Sequence, residues 1–124
     1  MKATIASLIF LLLSLAVSSQ TYKYIGIEEG LSNQKIYRIQ KDARGYMWFL
    51  THVGIDRYNG KEIKHYKLKE GDRELDPLLN INWTYLDKTG TLLVTGKQGR
   101  IFRYDSGHDR FVQIYSMYLL AELI

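Results

Sequence analysis

A pattern of residues that occurs twice is the feature that most restricts how this chain of 124 residues can fold. The offset between the two copies is 45 residues, and a residue inserted after Gly99 makes it 46 at the end of the pattern. A fixed period of this length indicates stacked copies of one supersecondary unit. The paired positions, first copy before second, are Asp42 and Asp87, Gly45 and Gly90, Trp48 and Leu93, Gly54 and Gly99, and Tyr58 and Tyr104.

Each copy is predicted to contain strands joined by tight turns, because short β-branched and aromatic runs alternate with turn residues. Asp42-Ala43-Arg44-Gly45 has Asp and Gly where a β-turn favours them, and Asn59-Gly60 is the strongest hairpin signal in the chain. The predicted strands are 36–41, 46–51, one that ends at Tyr58, and 62–66 in the first copy, and 81–86, 91–95, 100–104 and 111–115 in the second.

Four-stranded units at a spacing of ~40 to 50 residues are typical of the blades of a β-propeller. We therefore predict an all-β fold, a partial β-propeller of about two four-stranded antiparallel blades, after an N-terminal signal peptide helix. The predicted segments are a signal peptide (1–19), a lead-in to the first blade (20–35), blade 1 (36–67), a linker with Pro77 (68–80), a degenerate blade 2 (81–116) and a truncated tail (117–124).

The beginning of the chain has the pattern of a secretory signal peptide. Lys2 precedes an uninterrupted, largely apolar run, 5–17, which ends in small and polar residues before Gln20. A membrane span needs ~20 apolar residues to cross ~30 Å of hydrocarbon, so this run is short for an anchor. We expect export with cleavage near Ser19-Gln20. A cut one residue earlier and a membrane anchor are the alternatives.

The composition of the chain limits which partners and metal sites it can have. The chain has no cysteine, so it can form neither a disulfide nor a thiolate metal site. After removal of the leader, 16 basic residues face 13 acidic ones, and the two signs alternate along the chain. A nucleic-acid surface gathers its cations on one face, so we expect no nucleic-acid partner.

No set of residues has the spacing of a catalytic or cofactor site. Asp42 and Asp87 each bring one carboxylate to a turn, whereas calcium takes six to eight oxygen ligands. His52, His65 and His108 have no second ligand at a metal spacing. We therefore expect no catalytic, metal or cofactor-binding residues, and the sequence leaves any ligand-binding residues unassigned.

A structural role is instead predicted for the residues of the repeated pattern, with Trp48 expected in the core. These residues are Asp42, Gly45, Trp48, Thr51, Gly54, Tyr58, Gly60, Asp87, Gly90, Gly99 and Tyr104.

The first copy resembles the propeller repeats of bacterial two-component regulators. The resemblance is carried by Gly30-Leu31-Ser32, by the run 39–48, by Thr51, and by Gly54-Ile55 and Arg57-Tyr58-Asn59-Gly60. The second copy departs from that pattern, with Leu93 in place of Trp and Gly96 in place of Thr. The resemblance implies a periplasmic sensor that detects an extracellular ligand, often a glycan fragment, and controls transcription. It also implies further blades, a β-sandwich domain, a membrane span and cytoplasmic signalling domains.

Two blades by themselves leave strand edges unpaired, and fewer than three stacked units rarely bury enough apolar surface. We therefore expect a fragment whose partners are the remaining blades of a longer protein and an extracellular glycan or small molecule. A closed assembly of several copies is the alternative.

The leading functional hypothesis is the non-catalytic N-terminal part of a periplasmic ligand-sensing β-propeller of a two-component regulatory protein. A histidine kinase domain would then lie elsewhere in the longer protein. The alternatives are a fragment of an exported propeller enzyme that acts on polysaccharide and a protein-binding scaffold, because a fold does not determine a function.

Overall fold

The computed structural model describes residues 1–14, 18–76, 81 and 83–114. One helix, α1 (Lys2–Ser14), begins the chain, and the repeated region is built of strands. The helix predicted at the N-terminus is therefore confirmed, and its role as a signal peptide stays a prediction. Within the described ranges, no helix combines the length and the apolar character that crossing a membrane requires.

The first copy of the pattern forms one four-stranded antiparallel sheet, called the first sheet. Its strands are β1 (Ile36–Lys41), β2 (Met47–Thr51), β3 (Ile55–Tyr58) and β4 (Ile63–Tyr66), which are neighbours in that order. A shift in register between Ile36 and Arg38 interrupts the pairing of β1 with β2. The strand predictions for this copy are correct to within one residue, because each strand ends at a turn that the local sequence specifies.

A short hairpin follows, formed by β5 (Lys69–Glu70) and β6 (Arg73–Glu74). The hairpin lies in the segment predicted as a linker, 68–80, and Leu68 and Leu75 beside it are buried in the core. A backbone hydrogen bond from Leu75 N to Leu68 O, 2.9 Å long, closes the hairpin at its base. Pro77 lies outside the described residues.

The second copy forms the second sheet, again four-stranded and antiparallel. Its strands are β7 (Trp83–Leu86), β8 (Leu92–Thr95), β9 (Ile101–Asp105) and β10 (Arg110–Ile114). The predicted turn before β9 is a short 3₁₀ helix, Lys97–Gly99. The end of the predicted last strand at 115, the tail 117–124 and the small residues of the leader at 16 and 17 lie outside the described residues.

The hydrophobic core lies between the two sheets. Trp48 is at its centre, and its ring lies 4.8 Å from Tyr104, 5.4 Å from Tyr66 and 5.5 Å from Phe111, centroid to centroid. Aromatic pairs at such distances contribute ~0.5–1.5 kcal/mol each beyond the area they bury. Trp48 is thus a core residue, as predicted. The other buried members of the core are Leu50, Ile55, Leu68, Leu75, Leu92, Val94 and Phe102.

The sheets are stacked head to tail, so matching residues of the two copies point in the same direction. Trp48 faces the second sheet. Its counterpart Leu93 points in the same direction and therefore away from the first sheet, because its neighbours Leu92 and Val94 are the residues of β8 that enter the core. Such an arrangement can be continued by adding further sheets. The predicted fold class, a partial β-propeller of two four-stranded antiparallel blades, is therefore confirmed.

Candidate functional site: the junction between the two blades

The turn aspartate of the first blade organises the motif around it. One carboxylate oxygen of Asp42 accepts hydrogen bonds from the backbone N–H of Arg44 and of Tyr46, at 2.9 and 3.0 Å. The other accepts a hydrogen bond from the indole Nε1 of Trp48, at 2.8 Å. Gly45 takes the left-handed conformation that this turn requires, with φ of +88°. The spacing of Asp42, Gly45 and Trp48 thus follows from one hydrogen-bonded unit.

The second blade builds the same turn with a different final partner. One oxygen of Asp87 accepts hydrogen bonds from the backbone N–H of Thr89 and of Thr91, both at 2.9 Å. Because Leu93 has no donor, the other oxygen accepts a hydrogen bond from Nε of Arg103 on β9, at 2.8 Å. Burial raises the pKa of the Asp87 carboxyl, but the donors outweigh it and hold this pKa below its usual value.

The two turns are in direct contact. The backbone N–H of Ala43 donates to the carbonyl oxygen of Gly90, at 3.0 Å. A Cβ atom added to Gly90 would lie 2.2 Å from the Cβ of Ala43, a distance no side chain tolerates. Gly90 also has a φ of +76°. Glycine is therefore required at this position for two reasons, the conformation of the turn and the close approach of the first blade.

The remaining glycines of the pattern serve turns within a blade. The carbonyl oxygen of Gly54 accepts a hydrogen bond from Thr51 N at 2.9 Å and another from Thr51 Oγ1 at 3.1 Å. Gly60 lies in the turn between β3 and β4, and its carbonyl oxygen accepts a hydrogen bond from the hydroxyl of Tyr58, at 2.8 Å. Gly99 lies at the end of the 3₁₀ helix, with φ of +71°.

The two matching tyrosines differ in burial because of the head-to-tail stacking. Tyr104 faces the first blade and is buried in the core. Tyr58 faces the lead-in, where Lys23 lies over its ring, 5.0 Å from the centroid. The same position of the pattern is therefore internal in one blade and partly exposed in the other.

A polar cluster that the sequence did not predict joins the blades beside the aromatic core. Asp109, in the turn between β9 and β10, accepts hydrogen bonds from the hydroxyls of Tyr66 and Tyr104 and from Arg57 and Lys64. The Tyr104 bond is 2.7 Å long, and the Arg57 bond 3.1 Å. Tyr104 also accepts a hydrogen bond from Arg57.

The charges of this cluster follow from its hydrogen bonds. Burial raises the pKa of Asp109, but the donors from Lys64, Tyr66 and Tyr104 outweigh it, so the carboxyl is held well below its usual pKa. Burial, together with the hydrogen bond to Asp109, raises the pKa of Tyr66 far above the ordinary value of a phenol. Asp109 has a φ of +51°, which Asp tolerates better than most residues. No local signal indicates the role of Asp109, because three of its four donors, Arg57, Lys64 and Tyr66, lie in the first blade.

The lead-in is attached to the outer face of the first blade through Asp56. This carboxylate is completely buried and accepts hydrogen bonds from Ser32 N at 2.7 Å and Ser32 Oγ at 2.8 Å. Its other oxygen contacts Nδ1 of His65 at 2.7 Å. Ser32 and His65 thus bond to opposite oxygens of one carboxylate, with the acid between them. A nucleophile needs the histidine next to the serine, so this set does not form one.

The other two histidines also have local partners. His52 is stacked on Tyr37, with ring centroids 4.3 Å apart, and Nδ1 of His108 lies 2.8 Å from Asp105. In the described part of the chain, His, Asp and Glu side chains do not converge in groups of three that could hold a metal ion.

The stacking of two equivalent four-stranded sheets defines the described part of this molecule as part of a β-propeller. Residues 30–52 match the model of the family described as two component regulator propeller. The matched segment includes Asp42, Gly45, Trp48 and Thr51, which are the residues of the turn and of β2. The resemblance found in the first copy is thereby confirmed over these residues. No curated protein matches the chain significantly.

Proposed function

We propose that this chain contributes the first blades of a periplasmic, ligand-sensing β-propeller of a two-component regulatory protein, and that these blades are not catalytic. The observation that carries the proposal is the family match over 30–52, on a blade that stacks head to tail with a second one. A propeller in such a protein binds its ligand and passes the occupancy to signalling domains.

A non-catalytic role is supported by how the buried acids are used. Asp42, Asp56 and Asp87 each use both carboxylate oxygens to accept hydrogen bonds that hold a turn or the lead-in in place. A general acid or base needs a proton position open to the substrate. These three acids therefore act as structural groups, which favours the sensor over the polysaccharide-cleaving alternative.

Export is supported by the position of α1 relative to the core. The helix places large apolar side chains in the open, with Phe10 78% exposed, and none of the side chains described for residues 2–13 belongs to the core between the blades. A leader that is removed after export need not pack against the folded protein.

The reading frame beyond Ile124 tests the sensing proposal. We expect further units at a spacing near 45 residues, followed by a membrane span and signalling domains. A frame that continues into a catalytic domain acting on polysaccharide, with no signalling domain, would overturn the sensor and support the enzyme. A frame with blades alone would favour the scaffold.

Export can be tested with alkaline phosphatase, which is active only outside the cytoplasm, joined after Tyr24. Leu12→Arg interrupts the apolar run and should lower the phosphatase activity at least tenfold, and Lys23→Gln, outside the run, is the matched control. The mature chain should begin near Gln20 by mass spectrometry. Equal activity of the Leu12→Arg fusion and the parent fusion would contradict export through this leader.

A further inference from the structure

A cleft of about 690 Å³ opens at the junction, on the side formed by the last strand of each blade. Its walls are β4, the β5–β6 hairpin and β10, and the hairpin is in contact with β10. It lies at the opposite edge of the sheets from β1 and β7, where Arg38 donates to Thr84 at 3.3 Å. Its charged lining includes Lys64, Lys67, Lys69, Asp72, Asp109 and Arg110.

The lining carries more positive than negative charge that is available to a ligand. Asp109 is already paired with donors from both blades, and one of these donors is Lys64. Within the described part of the chain, Lys69 and Arg110 form no ion pair, although Lys69 contributes to the lowered pKa of Glu74. Two cations of the cleft are thus not held in an ion pair at contact distance.

Lys67 is a third cation that a ligand could recruit. It forms an ion pair with Glu74 at 2.9 Å, in which both side chains are more than half exposed. Ion pairs so exposed contribute little and exchange partners readily. The rings of Tyr66 and Phe111 add an apolar part to the same cleft.

We propose that this cleft binds a small organic anion through Arg110 and Lys69, with Lys67 as an exchangeable third contact. The guanidinium of Arg110 offers two parallel N–H donors, which match a carboxylate or a phosphate group. The aromatic rings contact the apolar part of the molecule. The proposal concerns this chain by itself and depends neither on export nor on coupling to signalling domains.

The test is an NMR titration of the full ¹⁵N-labelled chain with citrate and, separately, with inorganic phosphate. We expect saturable shifts of the Gly71, Arg110 and Phe111 amides, with a Kd on the order of 1 mM for citrate. The amide of Gly60, outside the cleft, should not shift. Glycerol is the neutral comparison and should cause no saturable change.

The double variant Lys69→Gln/Arg110→Gln should weaken citrate binding at least tenfold. Lys61→Gln/Lys88→Gln removes the same charge from exposed positions outside the cleft and should leave the Kd within twofold. Arg110→Lys keeps the charge but loses the paired donors, and should weaken binding by about threefold to tenfold. Circular dichroism of each variant should reproduce that of the parent chain.

Three results would overturn the proposal. They are a titration that does not saturate by 50 mM citrate, equal weakening by both double variants, and shifts centred outside the cleft. If phosphate binds as tightly as citrate, the cleft does not select an organic anion, and that part of the proposal is overturned. Benzoate and acetate each carry one carboxylate, so benzoate should bind more tightly, and equal Kd values for the two would refute the contact with the aromatic rings.

Discussion

The two blades have an aspartate at the same position of the turn, but different residues donate hydrogen bonds to it. In the first blade the second oxygen of Asp42 accepts a hydrogen bond from the indole N–H of Trp48, which lies at the centre of the aromatic core. In the second blade the position of Trp48 is Leu93, and Arg103 on the neighbouring strand donates to Asp87 instead. The turn therefore needs a donor for this oxygen, and either the strand after the turn or its neighbour can supply one.

The largest effect is expected from Trp48→Ala. The variant leaves a cavity among Tyr66, Tyr104 and Phe111 and removes the donor to Asp42, so it should lower the free energy of unfolding by about 3–5 kcal/mol. Urea denaturation of the full chain, followed by circular dichroism, measures the change. Trp83→Ala, at a side chain 47% exposed, is the control and should cost less than about 1 kcal/mol.

The next prediction separates the two turn glycines. Gly45→Ala should lower the free energy of unfolding by about 1–2 kcal/mol. The added Cβ would have open space, so only the left-handed backbone conformation disfavours alanine there. Gly90→Ala adds the collision with Ala43 and should cost about 2–5 kcal/mol in all. The double variant Ala43→Gly/Gly90→Ala removes the collision and should recover the part of the free energy of unfolding that the collision costs. Equal costs at the two glycines would show that the contact between the turns is unimportant.

A smaller effect is expected at the cluster that joins the blades. Asp109→Asn keeps a residue that tolerates positive φ. It removes the negative charge of the carboxylate, which accepts hydrogen bonds from Arg57 and the tyrosines. The cost should be about 1–2 kcal/mol, at the lower end for charged hydrogen bonds because the Asp109 side chain is 35% exposed. Thermal unfolding measures it. Asp72→Asn, at the exposed tip of the hairpin, should leave the unfolding midpoint unchanged.

The smallest predicted effect is a dependence of stability on pH in the second blade. The folded pKa of Asp87 is lowered, so its contribution to stability is present above the unfolded pKa of about 4 and is lost as the pH falls through the folded value. The difference in unfolding free energy between Asp87→Asn and the parent should therefore shrink from pH 7 to pH 3. A difference that is constant over this range would contradict the charged bond with Arg103.

The features that could be predicted are those set by residues close together in the chain. The strand ends are correct to within one or two residues because Asp42, Gly45 and Asn59-Gly60 act on their own neighbours in the chain. The role of Trp48 as a core residue was predictable from the alternation of its strand. The hairpin β5–β6 was missed, because its two-residue strands are too short for a periodic pattern.

The contacts between the blades could not be predicted, because their partners are far apart in the chain. Tyr66 meets Asp109 across 43 positions, and Arg57 meets Asp109 across 52. The cleft proposed to bind an anion is assembled in the same way, from the end of the first blade, the hairpin and the last strand of the second.

The sequence by itself determined the repeat, the turns and therefore the two four-stranded units, since hydrogen bonds between near neighbours require particular residues at each turn. Only the tertiary structure decided the direction in which the blades stack, the donor that replaces an absent indole, and the cluster around Asp109. Those features depend on which faces of the sheets meet, and this is a property of packing between segments that no local pattern encodes.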